Sequence, residues 1–254
     1  MVAWSIGRLT AVGLVISVLA VPLQGQQNPI STDRPAVTDS SVVVPSGSVQ
    51  VENGVQSTTT SGERTVDGPE SLVVYGLTGT TELRFSAPDY SYARSGSGFG
   101  DLALGVKQQI GHTASGFDVS LVASLSLPTG ANAVSSHGDD PSLQLPWSQK
   151  ISDKWTTAGM LSVYWLTPYG ARDVTGQATF LFDRQLTGPC DAFVEYAGDF
   201  PERGGPSHLL HFGTAYKLGQ LRQLDFHVGV GLSRAAVDHF VGFGYSFRFQ
   251  ARRK

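Results

Sequence analysis

A chain of 254 residues can hold one large barrel domain as readily as two ordinary domains. With 15% charged residues, 30 glycines and 10% aromatics, the composition suits many strands and turns rather than exposed helices. The balance of 18 Lys+Arg against 21 Asp+Glu, a formal net charge of −3, leaves no basic footprint and argues against a DNA or RNA partner.

Arg8 precedes an apolar run from Leu9 to Leu23, which reads as a signal peptide over residues 1–25. The run is too short for a membrane-crossing helix, which needs about 20 residues. An exported chain meets an oxidising compartment, yet Cys190 is the only cysteine, so no internal disulfide can form. Residues 26–46 then form a separate N-terminal segment around Thr32-Asp33-Arg34-Pro35. Pro35 disfavours helical geometry at Arg34, so this stretch is expected to be extended.

From there on, period-two alternation predicts strand after strand. In residues 117–127, Phe117, Val119, Leu121, Ala123, Leu125 and Leu127 share one face; Asp118, Ser120, Ser124 and Ser126 share the other, with Val122 the exception. In residues 238–249, Val241, Phe243, Tyr245, Phe247 and Phe249 oppose Gly242, Gly244, Ser246 and Arg248. Applied along the chain, the rule predicts twelve strands near 47–57, 70–78, 80–86, 99–110, 117–127, 142–151, 153–165, 174–186, 190–198, 207–218, 221–232 and 238–249. Their connections alternate long and short, beginning with 58–69, then Gly79, then 87–98. Long loops on one rim, tight turns on the other and an even strand count are the pattern of a transmembrane antiparallel up-and-down β-barrel over residues 47–249, with a basic tail at 250–254. Trp155 and Trp165 fall on one face, roughly 33 Å apart along a strand. A tilt of about 40° projects that to roughly 25 Å, the height of an apolar band between aromatic girdles.

If the apolar face meets outer-membrane lipid, the opposite face lines a lumen. Its predicted charged and titratable set is Glu52, Arg84, Lys107, Asp183, Glu195, His211, Lys217, Asp225, His227 and Arg248. Such a mixed set can pair into a packed interior or leave a wet path for solutes. Asp33 and Arg34, at the short-turn rim, can pair with lumen charges as a latch, cap the turns, or belong to a solvated linker.

No catalytic group is expected. His137, within Ser135-Ser136-His137-Gly138-Asp139-Asp140, lies in a long loop where polar composition is ordinary. The glycine-rich stretch from Gly96 to Asp101 lacks the Lys-Ser/Thr pair of a phosphate loop. His208 and His211 fall on opposite faces of a strand. His211 and His227 share the inner face, with a separation that sequence leaves open. No metal or cofactor is therefore assigned.

Several stretches together carry a resemblance: TDRPAVTDSSVVVPSGSVQVENGVQ, GLTGTTELRF, GFGDLALGVKQQI, SLSLPTG, LPWSQKISDKWTTAGM, FVEYAG and DHFVGFGYSFRF. Over about residues 31–249 the chain resembles the family called "putative MetA-pathway of phenol degradation", described as transporter-like outer-membrane proteins. That resemblance implies an outer-membrane barrel of a Gram-negative-type bacterium that passes small molecules, aromatic or hydrophobic ones among them. Two other readings stay open: a structural or surface-binding barrel with a plugged lumen, and a secreted soluble β-protein. The solute and the oligomeric state are not encoded in any feature above.

Overall fold

A computed structural model describes residues 29–251, so the predicted leader and residues 252–254 of the tail lie outside the described residues. Fifteen strands are present: β1 (Ser48–Thr60), β2 (Glu63–Gly68), β3 (Leu72–Gly76), β4 (Thr81–Ser86), β5 (Tyr90–Ala93), β6 (Ser97–Phe99), β7 (Leu102–His112), β8 (Phe117–Leu127), β9 (Asp140–Lys150), β10 (Trp155–Leu166), β11 (Asp173–Thr187), β12 (Cys190–Pro201), β13 (Ser207–Lys217), β14 (Arg222–Gly231) and β15 (His239–Gln250). All neighbours are antiparallel, and β15 closes on β1 from Ser48↔Gln250 to Thr59↔His239. The result is a closed barrel of twelve strands, because β2 continues β3, β5 continues β4 and β6 continues β7. Closure of β15 on β1 pairs the membrane-crossing strands on both sides, which is why a barrel can stand in lipid, while among the described residues the short rim strand β6 pairs with β5 alone.

The three composite strands correct part of the sequence reading. Residues 58–69 and 87–98 are not long loops: β1 turns at Ser61-Gly62 into β2, and β5 turns at residues 94–96 into β6. Each composite strand breaks at the same height, at residues 69–71, 87–89 and 100–101. Between the pairs Glu52↔Leu72 and Gln56↔Asp67, β1 advances four residues while its partner advances five. That extra residue is a β-bulge, and it reverses which parity faces the lumen. Pro69 and Pro88 sit in the break, where no ladder N–H is required. A period-two rule loses its phase at such a point and reports a loop.

Elsewhere the alternation holds. Leu83, Phe85, Leu104, Val106, Leu121, Leu125, Leu143, Leu145, Leu161, Phe180, Phe182, Val194, Phe212, Phe226 and Phe243 are exposed on the outer surface. Among the described residues, the fully buried side chains lie inside and include Lys107, Glu52, Glu82, Glu195, His211 and Gln50. An apolar exterior around a polar interior inverts the soluble pattern and matches a lipid-facing barrel. Trp155 and Trp165 both take outward positions on β10, and the Arg184 guanidinium lies 5.1 Å from the Trp155 ring centroid.

Candidate functional site

Residues 29–46 form neither helix nor strand; they run through the lumen. The path is traced by hydrogen bonds. Ile30 donates its N–H to the Gln220 carbonyl at the short-turn end (2.8 Å), and Gln50 donates to the Ser31 carbonyl (2.7 Å). The segment then crosses to β11 and β12 at Thr38 and to β8 and β9 at Ser41, where the Ser120 hydroxyl donates to the Ser41 carbonyl (2.6 Å). It returns at Val44, whose N–H donates to Glu82 (2.7 Å), and leaves by Gly47 to start β1.

Irregular backbone has N–H groups that no ladder satisfies, and buried ones need acceptors. Three inward glutamates supply them. Glu52 accepts the N–H of Asp33 (3.1 Å) and of Arg34 (3.0 Å). Glu195 accepts those of Val37 (2.8 Å) and Thr38 (2.7 Å), and Glu82 that of Val44. Carboxylates bound to amide N–H groups form charge-assisted bonds, so each glutamate is a strong anchor.

Asp33 and Arg34 supply the side-chain half. The Asp33 carboxylate receives Arg84 at 2.6 Å, Lys107 at 3.1 Å and the Ser40 N–H at 2.8 Å. Burial works to raise its pKa, but Arg84 and Lys107 outweigh that and hold it well below the usual carboxylate range. Asp39 goes the other way: burial first, then the neighbouring Asp33 charge, push it up to about 6 despite Arg84 at 3.2 Å. Arg34 pairs with Glu70 at 2.5 Å and reaches Asp225 and His227, each at 3.5 Å. Its guanidinium rests over Gly54 and Gly244, direct cross-strand partners on β1 and β15. A β-carbon at Gly54 would overlap the guanidinium carbon and both terminal nitrogens.

Glu52, Arg84, Lys107, Glu195, Asp225 and His227 converge on the N-terminal segment together with His211. His211 bonds Glu195 (2.8 Å) and the His227 ring (3.1 Å), joining β12, β13 and β14. One proton on Nδ1 of each ring satisfies that chain, with His227 Nε2 left to accept from Arg34. Asp183 and Lys217 stand apart, toward the short-turn end, where Lys217 pairs with Asp191 at 2.8 Å. Arg248 is buried on β15. Sequence reasoning omitted Glu82, Gln50, Glu70 and Asp39. Glu82 and Gln50 were accessible to it, each lying two residues from a chosen neighbour on the same face (Arg84 and Glu52). His208 points outward and bonds the Tyr196 hydroxyl at 2.7 Å, while the His137 ring meets the Asn132 carbonyl at 3.2 Å.

The segment divides the lumen into two cavities. One, of about 400 Å³, opens toward the long connections and is lined by Arg34, Gln56, Leu72, Leu209, His227 and Phe240 among others. The other, of about 340 Å³, faces the short turns and includes Asp183, Asp191, Phe193, Lys217 and Gln223.

Against known families, residues 32–249 match the profile described as "Putative MetA-pathway of phenol degradation". The chain belongs to this family. The contacts make structural sense of its most distinctive stretches: Asp33 of TDRP bonds Lys107 of GDLALGVK, and Asp101 of the latter accepts the N–H of Gly130 in LPTG (2.8 Å). No curated protein sequence matches the chain. Among solved structures, the COG4313 outer membrane channel from Pseudomonas putida F1 superposes with a TM-score of 0.64 at 14% identity, covering 82% of this chain and 97% of that one. The NanC porin gives 0.56 at 8% identity (78% and 98% covered), and the KdgM porin 0.55 at 11% (80% and 99%). At these identities the likeness is one of fold, a transmembrane barrel of outer-membrane type.

Proposed function

We propose that this protein is an outer-membrane channel of a Gram-negative-type bacterium, with its short turns in the periplasm and its N-terminal segment acting as a gate. One observation carries the reading. The segment that closes the lumen is held by charged and polar bonds, with a cavity on either side of it. An interior built only for stability gains more from apolar packing than from buried ion pairs. Polar bonds can be exchanged for bonds to water, so this closure is reversible in a way that a packed core is not.

The outer cavity supports a solute class. Leu72, Leu209, Val237 and Phe240 give it apolar walls, while Arg34, His227, Gln56 and Thr58 give it polar groups. That mixture suits a small solute with an apolar body and one polar substituent, monocyclic aromatics included. The family's name, which refers to phenol degradation, agrees with that class.

Planar-bilayer recordings of the wild type and of a variant lacking residues 31–41 test the proposal. The wild type is expected to show brief, small openings and the variant a steady, larger conductance. A silent wild type beside a conducting variant would favour a plugged barrel with a structural or surface-binding role. Equal conductance of the two would refute the gate. In liposomes, faster entry of benzoate or phenol than of a hexose checks the solute class.

A further inference from the structure

On the outer surface at the long-connection rim, β2 and β5 lie side by side, with Val66 opposite Tyr92. A groove there is lined by Arg64, Val66, Tyr92, Arg94, Glu63 and Ser95. Continuing the β2–β5 register by one residue sets Arg94 opposite Arg64. Like charges brought side by side repel, so two arginines at one rim position leave the groove receptive to an anion. Glu63, in the same groove, is drawn to Arg94 while its carboxylate accepts the Ser95 N–H at 2.8 Å, so it offsets one of the two positive charges and leaves the groove net cationic. Arg64 spends its Nε on the Ser57 hydroxyl at 2.7 Å, which orients the rest of its fork.

The height of the pair decides what the anion is. Below the arginines, the same outer face carries Tyr92 at 65% exposure, Phe99 at 58% and Val55 at 52%. Along the unbroken β1, Leu83 lies level with Val49 and Tyr92 with Ser57, a separation of eight residues, roughly 26 Å, or about 20 Å along the barrel axis at a tilt of about 40°. That is most of the roughly 25 Å of the apolar band. Tyr92 therefore stands at the interfacial girdle, and Arg64 and Arg94 one step beyond it, among headgroups.

We propose that the Arg64–Arg94 groove binds the phosphate of an anionic outer-leaflet glycolipid, with the lipid's acyl chains lying along Tyr92, Tyr90, Phe99 and Val55. The inference rests on the outward orientation given under Proposed function, but not on conduction. Native mass spectrometry of the full-length protein with a diphosphorylated lipid A, the same lipid after phosphate removal, and inorganic phosphate alone tests it. The wild type is expected to retain the phosphorylated lipid at least ten-fold better than its dephosphorylated form, and R64Q/R94Q to lose that preference. Both side chains are exposed, and heat-modified gel mobility verifies that the variant folds. Equal retention of the two lipids, an unchanged preference in the variant, or inorganic phosphate binding as tightly as the lipid would overturn the proposal. Labelling of an Arg94→Cys variant on intact cells with a membrane-impermeant thiol reagent reports orientation separately. The Cys190→Ser background removes the native thiol, so failure of that premise is distinguishable from failure of the site.

Discussion

The Arg34 guanidinium lies directly over the backbone of Gly54, in a space that any side chain at position 54 would occupy. A barrel strand is a poor place for glycine, which costs conformational entropy and packs nothing. Its presence here is explained by the arginine. Gly54→Val should therefore improve strand propensity while expelling Arg34 from Glu70 and Asp225. Losing one partner of a buried pair typically costs about 3–5 kcal/mol. The expected result is a channel that stays open far longer in bilayer recordings, in a barrel that still folds and shows unaltered heat-modified mobility. An unchanged open fraction would mean that Arg34 does not hold the segment.

Asp33→Asn removes the charge shared by Lys107 and Arg84. Lys107 is 2% exposed at its side chain, so it cannot recover its hydration without moving. Release of residues 31–41 should follow, read as cleavage by a protease added from the short-turn side. Wild-type resistance is expected, with cleavage at least ten-fold faster in the variant and Asp33→Glu in between.

The two aspartates of the segment give opposite pH dependences. Asp39 is raised to about 6 in the docked segment, chiefly by burial and then by Asp33, and returns to its ordinary value of about 4 when solvated. Its ionised form therefore disfavours docking, and docking weakens as pH rises from about 4 through 6. Asp33 is lowered, because Arg84 and Lys107 overcome its burial, so its contribution is complete above about 4 and is lost only at lower pH. Conductance should be lower at pH 5 than at pH 7.5. Asp39→Asn should flatten that difference, and a variant with the full wild-type difference would remove Asp39 from the account.

Asp101 ties the connection at residues 128–139 to the broken strand, accepting the N–H groups of Gly130 and Ser136 at 2.8 and 2.9 Å. Asp101→Ala leaves both amides without that acceptor. Their hydrogen exchange should accelerate by about ten-fold or more, in keeping with roughly 1.5–3 kcal/mol per lost charge-assisted bond. Amides in β10 and β11 should exchange as before.

The strand series and the barrel could be read from the chain alone, because the side-chain period of a strand is local: Phe226, Val228 and Val230 declare their face whatever pairs with them. The same locality explains the failure at residues 58–69 and 87–98, where one inserted residue beside Pro69 inverts the phase and leaves no period to follow. Distances across the lumen are not local. His211 and His227 meet only because the β13–β14 register places them diagonally, and that register is set jointly by turn geometry and by closure of twelve strands. Nor could the chain alone show whether Asp33 and Arg34 latch, cap or float. Their partners are Lys107, Arg84, Glu70 and Asp225, spread over up to 191 residues of sequence. An acceptor for an irregular segment is found by position in space, and only the closed barrel brings Glu52, Glu82 and Glu195 around the backbone that needs them.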